Sequence, residues 1–243
     1  MARALRKGFR AAYDSMGYAV LSSAVWFGVA AVPAAVAVGR MRSGEVAAGV
    51  ALAAVGVVAG FVWCVGVFYY ASAVVYHRHP APADTFVGIR KLLAPGLALL
   101  AVDVAVTVVL AGDAAFFLLM RTGPAFAALG VVCGYALLVW LMMLTYHLPL
   151  LVWQLDAESQ PRVGVILKKA FLLTFDNPGF TVGLFAAIIA FAVVCSFAIV
   201  GAAMLLLGTL AFLLTHALRE LFVKYGIVEE EPEVIEDTGW PRR

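Results

Sequence analysis

From Pro178 to Phe222 the chain carries one apolar run, with no Asp, Glu, Lys or Arg before Arg219. As one α-helix the stretch would measure about 67 Å, at 1.5 Å of rise per residue. A bilayer's hydrocarbon core is only about 30 Å thick. A run this apolar has no place on the surface of a water-soluble domain. It must therefore enter lipid, and its length requires two crossings. The turn between them is expected at Ile199-Val200-Gly201-Ala202.

Four further runs are long and apolar enough to span, so the predicted spans are residues 17–39, 46–76, 96–120, 124–153, 178–199 and 202–222. Composition agrees: 64% of the 243 residues are hydrophobic, 13% are charged, and the mean hydropathy is +1.00. A soluble domain carries about 25% charged residues. No alternation of apolar and polar residues suggests a transmembrane barrel. The expected class is an all-α polytopic membrane protein. Residues 1–225 form a single six-helix transmembrane domain, and 226–243 form an acidic, disordered tail.

The basic residues orient the spans. With the amino terminus inside, all but Arg40, Arg42 and Arg121 of the 17 Lys and Arg fall in inner segments. That is a strong positive-inside bias, and it puts both termini in the cytoplasm. Arg3 to Arg10 followed by an apolar run and Ala35-Val36-Ala37 has the outline of a signal peptide. Its apolar run exceeds the usual length of about 7–15 residues, so it is expected to stay as the first span. The net charge of +2 gives no electrostatic case for nucleic acid. Cys64, Cys133 and Cys195 lie in separate apolar runs without metal-ligand spacing, so neither metal nor cofactor is expected.

The chain repeats itself. RKGFRAAYDSMGY at residues 6–18 is echoed by KKAFLLTFDNPGF at residues 168–180. Leu5, Phe9, Ala12, Tyr13 and Met16 form one helical stripe, and Val163, Ile166, Leu167, Ala170, Phe171 and Thr174 form another. Each predicts a short amphipathic helix along the inner interface, its apolar face in lipid and its cations on anionic headgroups. Each then ends in an elbow. Ser15 and Asn177 are good N-cap residues, and Asp14 and Asp176 suit the positive end of the next helix dipole. The pair Asp14 and Asp176 could also hold a polar ligand. A weaker copy, Arg90-Lys91-Leu92 before Pro95-Gly96, precedes the third span. The even spans rhyme too: VVYHR, LTYHL and LLTHA place His77, His147 and His216 at nearly equal intervals. Together these features predict three like-oriented helical hairpins in tandem, with an interfacial helix before each odd span.

Asp103 stands out, since a carboxylate inside a span is unfavourable unless protonated, paired or hydrated. With Thr107 one turn on, it is the candidate intramembrane proton or cation site; no transmembrane Lys or Arg partner is visible. Asp113 is offset by about 80° on the helical wheel and does not pair with it. The three histidines could converge at the inner face, although helix ends and interfaces suit histidine without a metal. The five Trp residues read as packing or interfacial anchors, and Pro33 and Pro149 as helix kinks or ends. Gly49, Gly56, Gly60 and Gly66 permit close helix contact in the second span, within the bundle or in a homo-oligomer. No catalytic motif is present, so no enzyme is expected.

Ser23, Trp26, Pro33 and Gly39, followed by a long second span ending FYYASAVVYHR, resemble the YesL family of bacterial membrane proteins. Ser23 stands where that family often has Asn, and the Trp-to-Pro spacing is one residue longer. The resemblance covers most of Phe9 to Lys224 and implies an inner-membrane protein of unknown molecular activity. Members often accompany carbohydrate-uptake systems, which implies an accessory or assembly role beside transporter subunits. The alternative reading is a small secondary carrier or channel using Asp103. If the six-span topology holds, a reporter fused at residue 201 is periplasmic and one fused at Arg243 is cytoplasmic; the reverse at either position would overturn it.

Overall fold

The computed structural model describes residues 1–229 except 77, 79, 120–122, 159 and 198, and omits the side chains of 158, 199, 200 and 202. His77 and most of the acidic tail therefore lie outside the described residues. Among those described there are helices and no strand. The elements are α1 (Ala2–Asp14), α2 (Met16–Trp26), a π-turn (Phe27–Ala31), α3 (Val32–Arg42), α4 (Val46–Val75), α5 (Asp84–Leu119), α6 (Pro124–Glu158), α7 (Val163–Asp176), α8 (Pro178–Phe197) and α9 (Ile199–Lys224). Because α2, the π-turn and α3 run on without a break, the described residues make eight helices. Six are long and apolar enough to cross a membrane. Many large apolar side chains face outward, among them Leu21, Val58, Val108, Val131 and Val194. Water would not tolerate so continuous an apolar surface, whereas lipid is a good solvent for it. The protein is a multi-pass membrane protein in contact with a bilayer.

The helices α4, α6 and α9, which form the even-numbered spans, touch one another, and their odd-numbered partners pack outside them. The centre is α9, in contact with α1, α2, α4, α6 and α8. Its most apolar stretch is 67% buried, against 17–28% for the other five spans. Small residues allow this. Gly208 of α9 lies so close to Ala19 that an added Cβ would sit 2.5 Å from the Ala19 Cα. The Gly208 N–H donates to Ser23 Oγ at 2.9 Å, and Ser23 Oγ donates to the Ala19 carbonyl at 2.8 Å.

The first elbow differs from its expectation. Rather than lying in the interface plane, α1 runs antiparallel along α9: Arg3 and Lys7 reach Glu220 at 3.8 and 3.4 Å, and Gly8 abuts Leu213. Its buried face is the small stripe Ala4, Gly8 and Ala12, while Phe9, Tyr13 and Met16 stay exposed. Close backbone approach is possible only on the small side. The second elbow helix, α7, lies against α6 and buries Ile166, Ala170, Leu173 and Thr174. Lys169 sits over the Trp153 ring at 4.4 Å, at cation–π distance, rather than free for a headgroup.

Other expectations also change. The weaker third copy is not a separate helix, since α5 continues from Asp84 through Pro95 to Leu119. Residues 199–202 belong to the first turn of α9. Neither Pro33 nor Pro149 ends a helix. Proline cannot donate to the preceding turn, and the π-turn immediately before Pro33 absorbs that missing bond by widening the helix. Beside it, Gly56 and Gly60 of α4 lie against Ala30 and Pro33.

A Gly208→Val substitution should destabilise the bundle by roughly 1–3 kcal/mol through overpacking against Ala19. Gly112→Ala, where nothing lies within 4 Å, should be neutral or stabilising. Denaturant titration of the purified protein in detergent distinguishes the two outcomes.

Candidate functional site

Asp103 lies near the middle of α5, which runs from Asp84 to Leu119. At 1.5 Å per residue it is about 28 Å from one helix end and about 24 Å from the other. A carboxylate at such depth disfavours insertion by roughly 2.5–3.5 kcal/mol when alone. It is not alone. His147 Nδ1 of α6 lies 2.9 Å from Asp103 Oδ1. The His147 side chain is 1% exposed and that of Asp103 13%. His147 lies eleven residues before the end of α6 at Glu158 and supplies the partner that Lys and Arg do not.

Antiparallel packing of α5 and α6 builds the contact. The end of α5 at Leu119 and the start of α6 at Pro124 are close in sequence, so the two helices run back along each other. That lays Asp103 against the His147 turn and Thr107 against Trp140. Trp140 Nε1 donates to Thr107 Oγ1 at 3.0 Å. The Trp140 and His147 rings meet edge to face, with centroids 5.4 Å apart and planes at 74°. Thr107 thus holds the indole, and Asp103 and Trp140 hold the imidazole. Sequence alone gives Trp140 only a packing role; its place beside the pair shows once the helix register is known. His147 Nε2 is buried and has no hydrogen-bond partner among the described residues.

The remaining candidate residues separate. Asp113 is exposed. His216 is buried on α9. Among the described residues no three His, Cys, Asp or Glu side chains gather in a way that could hold a metal ion. Asp14 and Asp176 are both exposed at the ends of their helices. Ser15 interrupts the helix but makes no side-chain capping bond, contrary to expectation. Asn177 is buried, and its side chain turns to the end of α9: its Nδ2 donates to Tyr225 Oη at 2.5 Å, and Lys224 Nζ donates to its Oδ1. Both elbows thus fasten to the last turns of α9, the first through Glu220 and the second through Lys224 and Tyr225.

A second polar feature opens at the same end. Tyr69, Ser72, Arg78, Asp84 and Asp156 line a pocket of about 150 Å³ between α4, α5 and α6. Arg78 Nη1 donates to Asp156 Oδ1 at 2.9 Å, and this bond, more than the nearby charges, raises the guanidinium pKa. Both cation and anion are thereby occupied with each other.

Together, the fold and the paired charge define a helical membrane protein with a buried Asp–His couple. A scan of family models and searches of curated proteins and solved structures each found no match.

His147→Ala would leave the Asp103 carboxylate buried without its partner, and should destabilise the protein by roughly 3–5 kcal/mol. The double variant Asp103→Leu/His147→Leu should recover most of that loss, because no charge then remains in the apolar interior. A double-mutant cycle in denaturant measures both effects.

Proposed function

We propose that this is a non-enzymatic, six-span carrier in which Asp103 and His147 bind the cation coupled to solute movement. The supporting observation is the 2.9 Å pair midway along α5, with one imidazole nitrogen left unbonded among the described residues. Ionisable groups inside spans face high desolvation penalties and commonly serve ion or proton pathways. A purely structural link between α5 and α6 would be served as well by two neutral side chains. In this reading the three hairpins are a tandem repeat, both chain ends lie in the cytoplasm, and the membrane is a bacterial inner membrane. Resemblance to the YesL family and the distribution of basic residues support that placement.

A second reading, an accessory component of a solute-uptake system, has its own observation. Arg6, Arg90, Lys91 and Lys168 are exposed, suiting anionic headgroups or an acidic partner surface. Transporter subunits would then be its partners.

In proteoliposomes, ion-driven solute accumulation should fall to background in Asp103→Asn and in His147→Gln. Normal flux in both variants, or no flux by the parent across a broad solute panel, would remove the carrier. Recovery of transporter subunits from mild detergent would then favour the accessory reading.

A further inference from the structure

The cation bound at the Asp103–His147 pair is, we infer, a proton, and the atom that takes it is His147 Nε2. This rests on the carrier reading for its purpose, but its chemistry can be tested separately. Imidazole Nδ1 faces Asp103 Oδ1 at 2.9 Å, so that contact always contains one hydrogen between nitrogen and oxygen. With no further proton, the carboxylate is charged, the imidazole is neutral, and Nε2 is a bare acceptor. The pair then carries a net charge of −1 in an apolar interior.

Adding one proton from water makes the pair net neutral. The added hydrogen can sit on Nε2, giving carboxylate with imidazolium or carboxylic acid with neutral imidazole, or on the second carboxylate oxygen, Oδ2, which leaves Nε2 bare. It goes to Nε2, because imidazole is intrinsically the more basic group and Nε2 is buried and without a hydrogen-bond partner among the described residues. A net-neutral pair avoids the penalty of an uncompensated charge at membrane depth.

A metal ion fits less well. Magnesium and calcium require about six or more oxygen ligands, whereas the described residues contain no group of even three His, Cys, Asp or Glu side chains able to hold one. Thr107 Oγ1, one turn on from Asp103, already accepts from Trp140.

The elements packed on α6 carry other titratable groups. On α4 these are Cys64, Tyr69 and Tyr70; on α5, besides Asp103, the exposed Asp113 and the terminal Asp84, Arg90 and Lys91. On α7 they are Lys168, Lys169 and Asp176; on α8, Cys195; on α9, His216, Arg219, Glu220 and Lys224. On α6 itself, Tyr146 bonds Thr181 and Asp156 bonds Arg78; Cys133 and Tyr135 also lie on that helix. Asp103 is the carboxylate in contact with the imidazole.

Trp140 provides the readout, since a charge appearing beside the indole alters its emission. The signal is the difference in fluorescence between the parent and Trp140→Phe, in detergent, without gradient or solute. It should change with pH. Sodium, potassium or magnesium at fixed pH should leave it unchanged. His147→Gln should abolish the pH response, as should Asp103→Leu, which removes the counter-ion. The comparison of the parent with Trp140→Phe stands even if the other variants fold poorly. A difference signal that does not change with pH, one that persists in folded His147→Gln, or one driven by a metal ion at constant pH would overturn the inference. Absence of solute flux would count against the carrier alone and leave this result intact.

Discussion

Helices in hydrocarbon gain little from burying apolar surface on one another, because lipid tails are as good a solvent for Leu as a neighbouring helix is. The bundle depends instead on how closely backbones approach. At the centre, α9 meets α2 at Ala19 and Gly208, where an added Cβ would lie 2.5 Å from the Ala19 backbone, and meets α1 at Gly8. That proximity lets Ser23 Oγ accept the Gly208 amide while donating to its own helix. Small residues thus account both for the van der Waals contact and for an interhelical bond to a backbone N–H of α9. The same principle governs the first hairpin, where Gly49, Gly56 and Gly60 lie against α3 and the π-turn.

This explains why the spans could be read from the sequence while the elbows could not. A span is a local property, decided by whether about twenty consecutive residues prefer lipid to water. An amphipathic helix has a periodicity but not an address. The stripe Leu5, Phe9, Tyr13 and Met16 is apolar, and an apolar stripe can face lipid or protein. The face that docked is the less conspicuous one, Ala4, Gly8 and Ala12, at i, i+4 spacing. That small-residue stripe is visible in the sequence, but hydrophobicity alone ranks it below the bulky one. In α7 the docked face carries the bulky Ile166 and Leu173 beside Ala170 and Thr174, while Phe171 and Phe175 stay exposed, so there the apolar stripe itself faces protein in part. Ser15 marks a further limit. Its residue type favours capping, yet a nearly continuous helix from α1 to α2 leaves few free amides to cap.

Asp103 is an anomaly that sequence alone reveals, but its partner is not, because the obvious partner for a carboxylate is a residue of opposite fixed charge. Histidine is charged only on demand, which makes it the partner most compatible with an apolar site and also the easiest to overlook. What sequence lacks is register. In an antiparallel hairpin, contacts join residues placed symmetrically about the connection, and Asp103 and His147 are symmetric about residue 125, next to the start of α6. The rhyme among the three histidines points elsewhere. Their nearly equal intervals suggest one shared role at one membrane face, whereas His147 is engaged within the hairpin.

The same intervals show that the pair is particular to the middle hairpin. The shift that lays His147 on His77 carries Asp103 onto Pro33, and the shift that lays it on His216 carries Asp103 onto Leu172. Neither residue can carry charge or accept a side-chain hydrogen bond, so a histidine at the corresponding place in either hairpin would lack this counter-ion. Gene duplication, if it produced the three hairpins, would have supplied the scaffold three times and the carboxylate once. A site that merely held helices together would be useful in every copy. In the proposed carrier, the Asp103–His147 pair is the position whose charge changes, and it lies on one of the three hairpins of the tandem reading. That asymmetry suits the carrier proposed above, in which one part of the bundle responds to the cation while the rest provides the frame against which it moves.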